Sequence, residues 1–475
     1  MSAFKKKLMI LIFAAVLAGL SRFPAEASFT VEDEKKLGRE FYDKLDKSNA
    51  ILHDEKISAY VNAVGNRVLS ASDRRLFDFR FSVIRSDAVN AFATPGGYVY
   101  VNRGLINLCE KESELAGVLA HEIAHVNARH IAQTIERSQK LNMAALAGML
   151  AGAFLGGGGD LSAAMMGFSY ATAASLYLRY SREQEEEADR LGMMYLAGAG
   201  YDPPSMLDFL KSMRKYEFYS NTVPSYFLTH PGTDERVRYL DGLIQTAYSS
   251  RGKESILGNF KRIQTRLLIT SGDLEANRRR FQNGLNKNPL DVDDLYGLAV
   301  TEEKAGNLDL AIATFRRALS LAPQDADILR DLGRTYLKGG HTDEALLCLN
   351  ESLRHEPGDP EALLLLGQAY EAKGDFDKAV SVLDLLKGKR IDDDDYFYTL
   401  AKIHGRAGHK FESHYNFGIY FKRKKRTESA LFHFKAALQS LPPGDGRAEE
   451  VKGEIAALSG RGDMGQRGRE PSGPR

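Results

Sequence analysis

His121, Glu122 and His125 stand in an HExxH pentapeptide, His121-Glu122-Ile123-Ala124-His125. On a helix, side chains four apart share a face, so both imidazoles reach one zinc ion while Glu122, one step round, faces the adjacent water. That arrangement suits amide hydrolysis with Glu122 as general base. Leu115, Val118 and Leu119 before the motif and Ile131 after it give the helix a core-facing stripe, as a half-buried metal requires.

Two histidines leave a catalytic zinc one protein ligand short. Ile131 occupies the position six residues after His125 where a third histidine would serve. His130, nine residues from His121, is about half a turn out of phase on a continuous 3.6-residue helix and reads as a surface histidine. A carboxylate from a later helix remains. The run Ser181-Arg182-Glu183-Gln184-Glu185-Glu186-Glu187-Ala188-Asp189 offers one, with Glu185 and Asp189 four apart on one face. Glu185 reads as the metal ligand and Asp189 as the carboxylate behind it, holding a ligand histidine by its other ring nitrogen. Glu186 is a single helix step away, about 100°.

Several elements must position these groups. Asn90-Ala91-Phe92-Ala93-Thr94-Pro95-Gly96-Gly97 reads as a strand and a turn, followed by a second strand from Tyr98 to Val101. An exposed edge there would take an extended polypeptide by strand addition, with little dependence on sequence. From Leu141 to Leu178 the only charged residue is Asp160, and Gly156 to Gly159 stand in a row. The segment 141–178 reads as a mobile cover over the site, with ordinary core and membrane contact as alternatives.

Beyond about residue 254 the chain acquires a period of 34: Pro289, Pro323 and Pro357; Ala311, Ala345 and Ala379; Gly333 and Gly367; Tyr336 and Tyr370. This is the tetratricopeptide pattern, an α-solenoid of paired helices with a concave binding surface. Gly418, Phe421, Ala430, Phe434, Ala437 and Pro442 restart it, but Ala430 lies 51 residues after Ala379, one and a half repeats. An extra or aberrant helix near Tyr396 to His409 would absorb the difference. The expected fold is mainly α: a helical zincin domain with a small β-sheet over 28–250, repeats over 254–458 and a disordered tail over 459–475.

Lys5, Lys6 and Lys7, an apolar run from Leu8 to Leu20 and Ala25-Glu26-Ala27 form a secretory signal over 1–27, cleaved after Ala27. The run is shorter than the roughly 20 residues that span a bilayer. Its removal shifts the formal net charge from +1 to −2, a near-neutral balance with no sign of nucleic-acid binding. Cys109 and Cys348 fall in different domains and read as free thiols.

HEIAH followed by SREQEEEAD, with the Asn90–Gly97 segment before and Thr229-His230-Pro231-Gly232-Thr233-Asp234-Glu235-Arg236 after, resembles the HtpX/BepA-type gluzincin peptidases. With the repeats, the chain is most similar to their periplasmic BepA-like branch. The resemblance covers residues 30 to 250 and implies one zinc per chain on His121, His125 and Glu185, with Glu122 as base. It also implies that His230 approaches the metal, either as a donor to the developing oxyanion or as a fourth ligand that holds the enzyme off. Unfolded polypeptides become the expected substrates, misfolded outer-membrane proteins among them. The repeats would engage substrate or assembly machinery in the periplasm. A repeat-based chaperone with a latent or structural zinc site is the alternative.

Overall fold

The structure is a computed structural model that describes residues 29–72, 76–138, 180–221, 223–231, 233–248, 251–270, 273–386 and 394–466. The signal segment 1–27 and the cover segment 141–178 lie outside the described residues. The chain divides into two compact units, Met1–Leu267 and Leu268–Arg475.

The first unit begins with helices α1 (Val31–Lys47) and α2 (Glu55–Ser70), followed by strands β1 (Arg80–Ile84), β2 (Ala91–Thr94) and β3 (Tyr98–Asn102). The strands form one sheet in the order β1-β3-β2, with β3 parallel to β1 and antiparallel to β2. The β2–β3 hairpin is the expected one, but its outer strand is not exposed. Ala91 and Ala93 pack into the main core and Phe92 into a second cluster with Phe41 and Tyr100, so both faces of β2 are covered.

Helices α3 (Arg103–Leu108), α4 (Glu112–Asn127) and α5 (His130–Ser138) follow, then α6 (Arg182–Gly198), α7 (Pro204–Ser220), α8 (Ser225–Thr229), α9 (Thr233–Ala247) and α10 (Phe260–Thr270). The motif helix α4 is buried all round: every one of its residues, the polar ones included, is buried rather than only the expected stripe. Its first residue, Glu112, accepts from the hydroxyls of Tyr60, Tyr201 and Ser255 and from the backbone N–H groups of Ile256, Leu257 and Gly258. Burial pushes the Glu112 carboxyl up, but these donors outweigh it and hold the group below its ordinary value.

Two local features bring α6 onto α4. Ser181 and Gln184 form a reciprocal capping box, which fixes the start of α6 and sets Glu185 in its first turn. At Gly192 a Cβ would stand 3.1 Å from the backbone nitrogen of His121, a tight contact that an alanine would relieve by pushing the two backbones a few tenths of an ångström apart.

The second unit is a run of antiparallel helices: α11 (Leu274–Lys287), α12 (Val292–Lys304), α13 (Leu308–Leu321), α14 (Ala326–Lys338), α15 (Thr342–His355), α16 (Pro360–Lys373), α17 (Phe376–Asp384), α18 (Asp394–Arg406), α19 (Lys410–Arg423), α20 (Thr427–Gln439) and α21 (Arg447–Gln466). Asp291, Asp325 and Asp359 cap α12, α14 and α16 at the repeat interval. Gly306, Gly340, Gly374 and Gly408, also 34 apart, take φ between +79° and +84° where the chain reverses.

This series shows that α18 is in register. Ala401 and Ser413 stand 34 residues beyond Gly367 and Ala379, and the Ser413 hydroxyl donates to the Ala401 carbonyl at 2.8 Å. The half-repeat arises one helix later than expected, because α19 also presents Gly418 to Phe434 on α20 and so serves in two successive pairs. The left-handed turn after it falls on Lys425, 17 residues beyond Gly408. Helix α21, whose Val451 and Leu458 are buried, continues to Gln466, past the expected start of the tail at 459; residues 467–475 lie outside the described residues. No described helix is long and apolar enough to cross a membrane. Both cysteines are free.

Candidate metal centre

His121 and His125 on α4, Glu185 on α6 and His230 after α8 each bring a ligand atom to one point, all within 4.8 Å of one another and all buried. Glu186, the neighbour one helix step away, faces solvent. Asp189, one turn on from Glu185, places Oδ1 3.0 Å from His121 Nδ1. His125 Nδ1 lies 2.8 Å from His130 Nδ1, and His130 Nε2 lies 3.2 Å from Glu187 Oε2.

The acceptors at the ends of these two chains assign the tautomers. His121 donates from Nδ1 to Asp189. His125 donates from Nδ1 to His130, which donates from Nε2 to Glu187. Both Nε2 lone pairs of the HExxH histidines therefore point inward, and they stand 2.9 Å apart. Two ring nitrogens facing each other at that separation are bridged by a shared proton or drawn together by a metal ion, and 2.9 Å is closer than two zinc ligands stand. Ligand atoms on a tetrahedral zinc with bonds of about 2.0–2.1 Å stand about 3.4 Å apart. Here His121 Nε2 to Glu185 Oε2 and His125 Nε2 to Glu185 Oε1 are each 3.5 Å, and His121 Nε2 to His230 Nδ1 is 3.3 Å. The residues present fit a metal ion with nitrogen and carboxylate ligands.

His130 is not the surface histidine expected from helix phase: it is fully buried. The phase argument assumed one continuous helix, whereas α4 stops at Asn127 and Arg129, at φ +56°, turns the chain into α5. His230 is stacked on Tyr226, with ring centroids 4.2 Å apart, and its Nδ1 lies 2.9 Å from Glu185 Oε1. Among the described residues neither carboxylate oxygen of Glu122 has a hydrogen-bond partner, and His230 Nε2 lies 3.5 Å from its Oε1. Burial raises the Glu122 carboxyl, and the charges of His230 and His121 only partly offset that.

Arg236 and Tyr180, like Glu187 and Tyr226, have no role assigned from sequence. Arg236 grips Asp189 with two parallel hydrogen bonds, at 2.8 and 2.7 Å, and places Nη1 2.7 Å from Glu185 Oε2, an ion pair without hydrogen-bond alignment. Burial alone would raise both carboxyls. For Glu185 the charges of His230 and Arg236 outweigh it and hold the group well below the ordinary range; Arg236 and His121 outweigh it at Asp189 and lower that carboxyl. Tyr180 stacks on His125 at 3.8 Å and lines a narrow pocket beside it with Thr94, Pro95, Ile131 and Ala132.

Residues 55–244, which hold every group just described, match the family model of peptidase family M48, and residues 291–356 and 330–395 match tetratricopeptide repeat models. The chain joins an M48 domain to tetratricopeptide repeats. Over 215 residues it is 34% identical to the beta-barrel assembly-enhancing protease of Yersinia pestis, a stretch that makes up 45% of this chain and 44% of that protein. Over 192 residues it is 33% identical to the mitochondrial metalloendopeptidase OMA1 of Schizosaccharomyces pombe, covering 40% of this chain and 54% of that one. The chain thus spans less than half the length of the Yersinia relative. Among solved structures, the type IV pilus biogenesis factor PilW is 20% identical with a TM-score of 0.34, covering 43% of this chain and 90% of that chain. In the M48 domain, Arg236 lies within the Thr229–Arg236 segment already singled out, while Tyr180 carries no spacing signal that ties it to HExxH.

Proposed function

We propose that the chain is a zinc-dependent endopeptidase of the periplasm that cleaves misfolded or unassembled envelope proteins, with the repeats recruiting substrate or partners. The observation that carries the reading is the pair of inward Nε2 lone pairs of His121 and His125, 2.9 Å apart, beside an unpartnered Glu122. A zinc ion on His121, His125 and Glu185 would polarise the scissile carbonyl and acidify water. Glu122 accepts a proton from the attacking water and passes it to the leaving amide nitrogen. Asp189 fixes the His121 ring, His130 and Glu187 fix the His125 ring, and Arg236 holds the carboxylates of Glu185 and Asp189 in place. The site of attack is the metal domain over 28–250, and the recruiting surface the repeats over 254–458.

His230 reads as a brake in this arrangement. Its Nδ1 stands among the ligand atoms of His121 and Glu185, where it would serve as a fourth ligand, and both His230 and Glu122 are buried, so a scissile carbonyl needs the site to open and His230 to give way. The same closure supports a second reading, a repeat-based chaperone or assembly factor whose metal site is latent. The name of the Yersinia relative, a beta-barrel assembly-enhancing protease, fits both.

Cleavage of an unfolded model protein, with bound zinc measured, separates the two readings. Wild type is expected to cut, Glu122→Gln to keep its zinc and lose the activity, and His230→Ala to cut faster. Undiminished cleavage by Glu122→Gln would remove Glu122 from the chemistry, and three zinc-loaded proteins that never cut would leave the chaperone reading.

A further inference from the structure

Helix α7 ends in an exposed aromatic tip for which peptide hydrolysis has no use. Leu207, Leu210 and Met213 are buried on its inner face. Lys211, Arg214, Lys215 and Phe218 follow one another at i, i+3, i+4 and i+7 and, with Tyr219, make up an exposed outer face. Phe218 and Tyr219 are 81% and 76% exposed, with their rings edge to face at 5.4 Å. At 1.5 Å of rise per residue, the cations sit about 5 to 12 Å behind the rings along the helix.

The charges on this face lean one way. Arg214 pairs with Asp234, while Lys211 and Lys215 make no ion pair among the described residues. Glu217 is half-buried rather than part of the exposed face. Exposure continues past the left-handed C-cap Asn221 to Val223 and to Leu228 on α8, each 52% exposed.

Rings at the tip and ammonium groups one to two turns behind match the depth profile of a bilayer surface, where aromatic rings sit at the headgroup level and Lys and Arg reach anionic phosphates. We propose that the end of α7 docks the chain on a bilayer surface that carries anionic phospholipid. An apolar polypeptide would engage the two rings without using the cationic collar behind them; the collar is what selects lipid. Because α8 leads into His230 two residues after Leu228, docking brings the His230 loop to the membrane. The inference does not rest on the peptidase reading.

The test is flotation of the chain from Ser28 onward, which contains every described residue, with vesicles of phosphatidylcholine alone and of phosphatidylcholine mixed equally with phosphatidylglycerol. Wild type is expected to float with the mixed vesicles, less so in high salt, and to remain with the buffer when the vesicles are neutral. Lys211→Glu with Lys215→Glu should lower the partition coefficient at least about thirtyfold. Phe218→Ser with Tyr219→Ser should lower it about tenfold or more. All four positions are exposed, so thermal melts of the variants should match wild type. Failure of wild type to float overturns the proposal, as does flotation of both variants like wild type. Equal binding to neutral and anionic vesicles, lost only with the rings, overturns the anionic-lipid assignment and the role of the cationic collar. Cleavage is not read in any arm, so a catalytically dead chain that floats leaves this inference standing.

Discussion

In the repeats, the buried Asp331 accepts from Arg330 and Arg334 on Oδ1, at 2.9 and 3.0 Å, and from the Tyr296 hydroxyl on Oδ2 at 2.6 Å. Arg334 continues to Glu303 and Glu361, and Arg330 to Asp327 and Asp359. In the M48 domain, Glu122 is just as buried and both its oxygens are unpartnered, while the Nε2 atoms of His121 and His125 face each other. The first network links three successive helix pairs and closes on itself. The second, among the described residues, converges ligand atoms on one point and leaves the carboxylate beside it unpaired. A buried charge with every partner present holds a fold together, whereas one with a partner missing marks where a ligand or a reaction belongs.

The largest effect is expected where the partner is missing. Glu122→Gln keeps the shape and removes the base, so cleavage should fall by about 10²–10⁴-fold. Stability should not fall, because a neutral amide replaces a carboxylate that burial already disfavours. Rate assays beside thermal melts read both quantities, and a variant that melts early while still cutting breaks the comparison.

Asp331→Ala is the mirror experiment. It leaves Arg330 and Arg334 buried with their other acidic partners, so the loss belongs at the low end for a broken buried pair, about 3 kcal/mol. Calorimetry should show the repeat transition lowered, with the cleavage rate per folded molecule unchanged. A rate that drops in proportion would mean that Asp331 belongs to the active machinery.

What the sequence made legible was whatever depends on local spacing. HExxH, Glu185 with Asp189, the Ala91 to Val101 hairpin and the 34-residue period all follow from helix phase, strand alternation or turn chemistry within one element. His130 was misread because helix phase carries information only until the helix ends, and Arg129 ends it. Arg236 contacts Asp189 across 47 residues, and nothing in its own neighbourhood announces that contact. The half-repeat was legible as a count of 51 residues but not as a mechanism, since α19 belongs to two pairs at once and a period describes only one.

The smallest predicted effect reads the two regions through pH. Glu114, on the motif helix beside the Glu110 backbone N–H, is buried, and its carboxyl is pushed from an ordinary 4.5 up to about 7, chiefly by desolvation. A folded value above the unfolded one means that the folded state holds the proton more firmly. Stability from Glu114 is therefore complete below pH 4.5 and lost as the pH rises through about 7. Asp331 has the opposite sign: burial raises it, Arg330 and Arg334 outweigh burial, and its stabilisation is lost on acidification below its ordinary 3.8. Glutamine at 114 mimics the protonated acid and keeps an acceptor for Glu110. Glu114→Gln should therefore exceed wild type by about 1 kcal/mol near pH 5 and by about 3 kcal/mol near pH 8, in the M48 transition only. Calorimetry at the two pH values checks this, and an equal gain at both would show that Glu114 is ionised in the folded chain throughout.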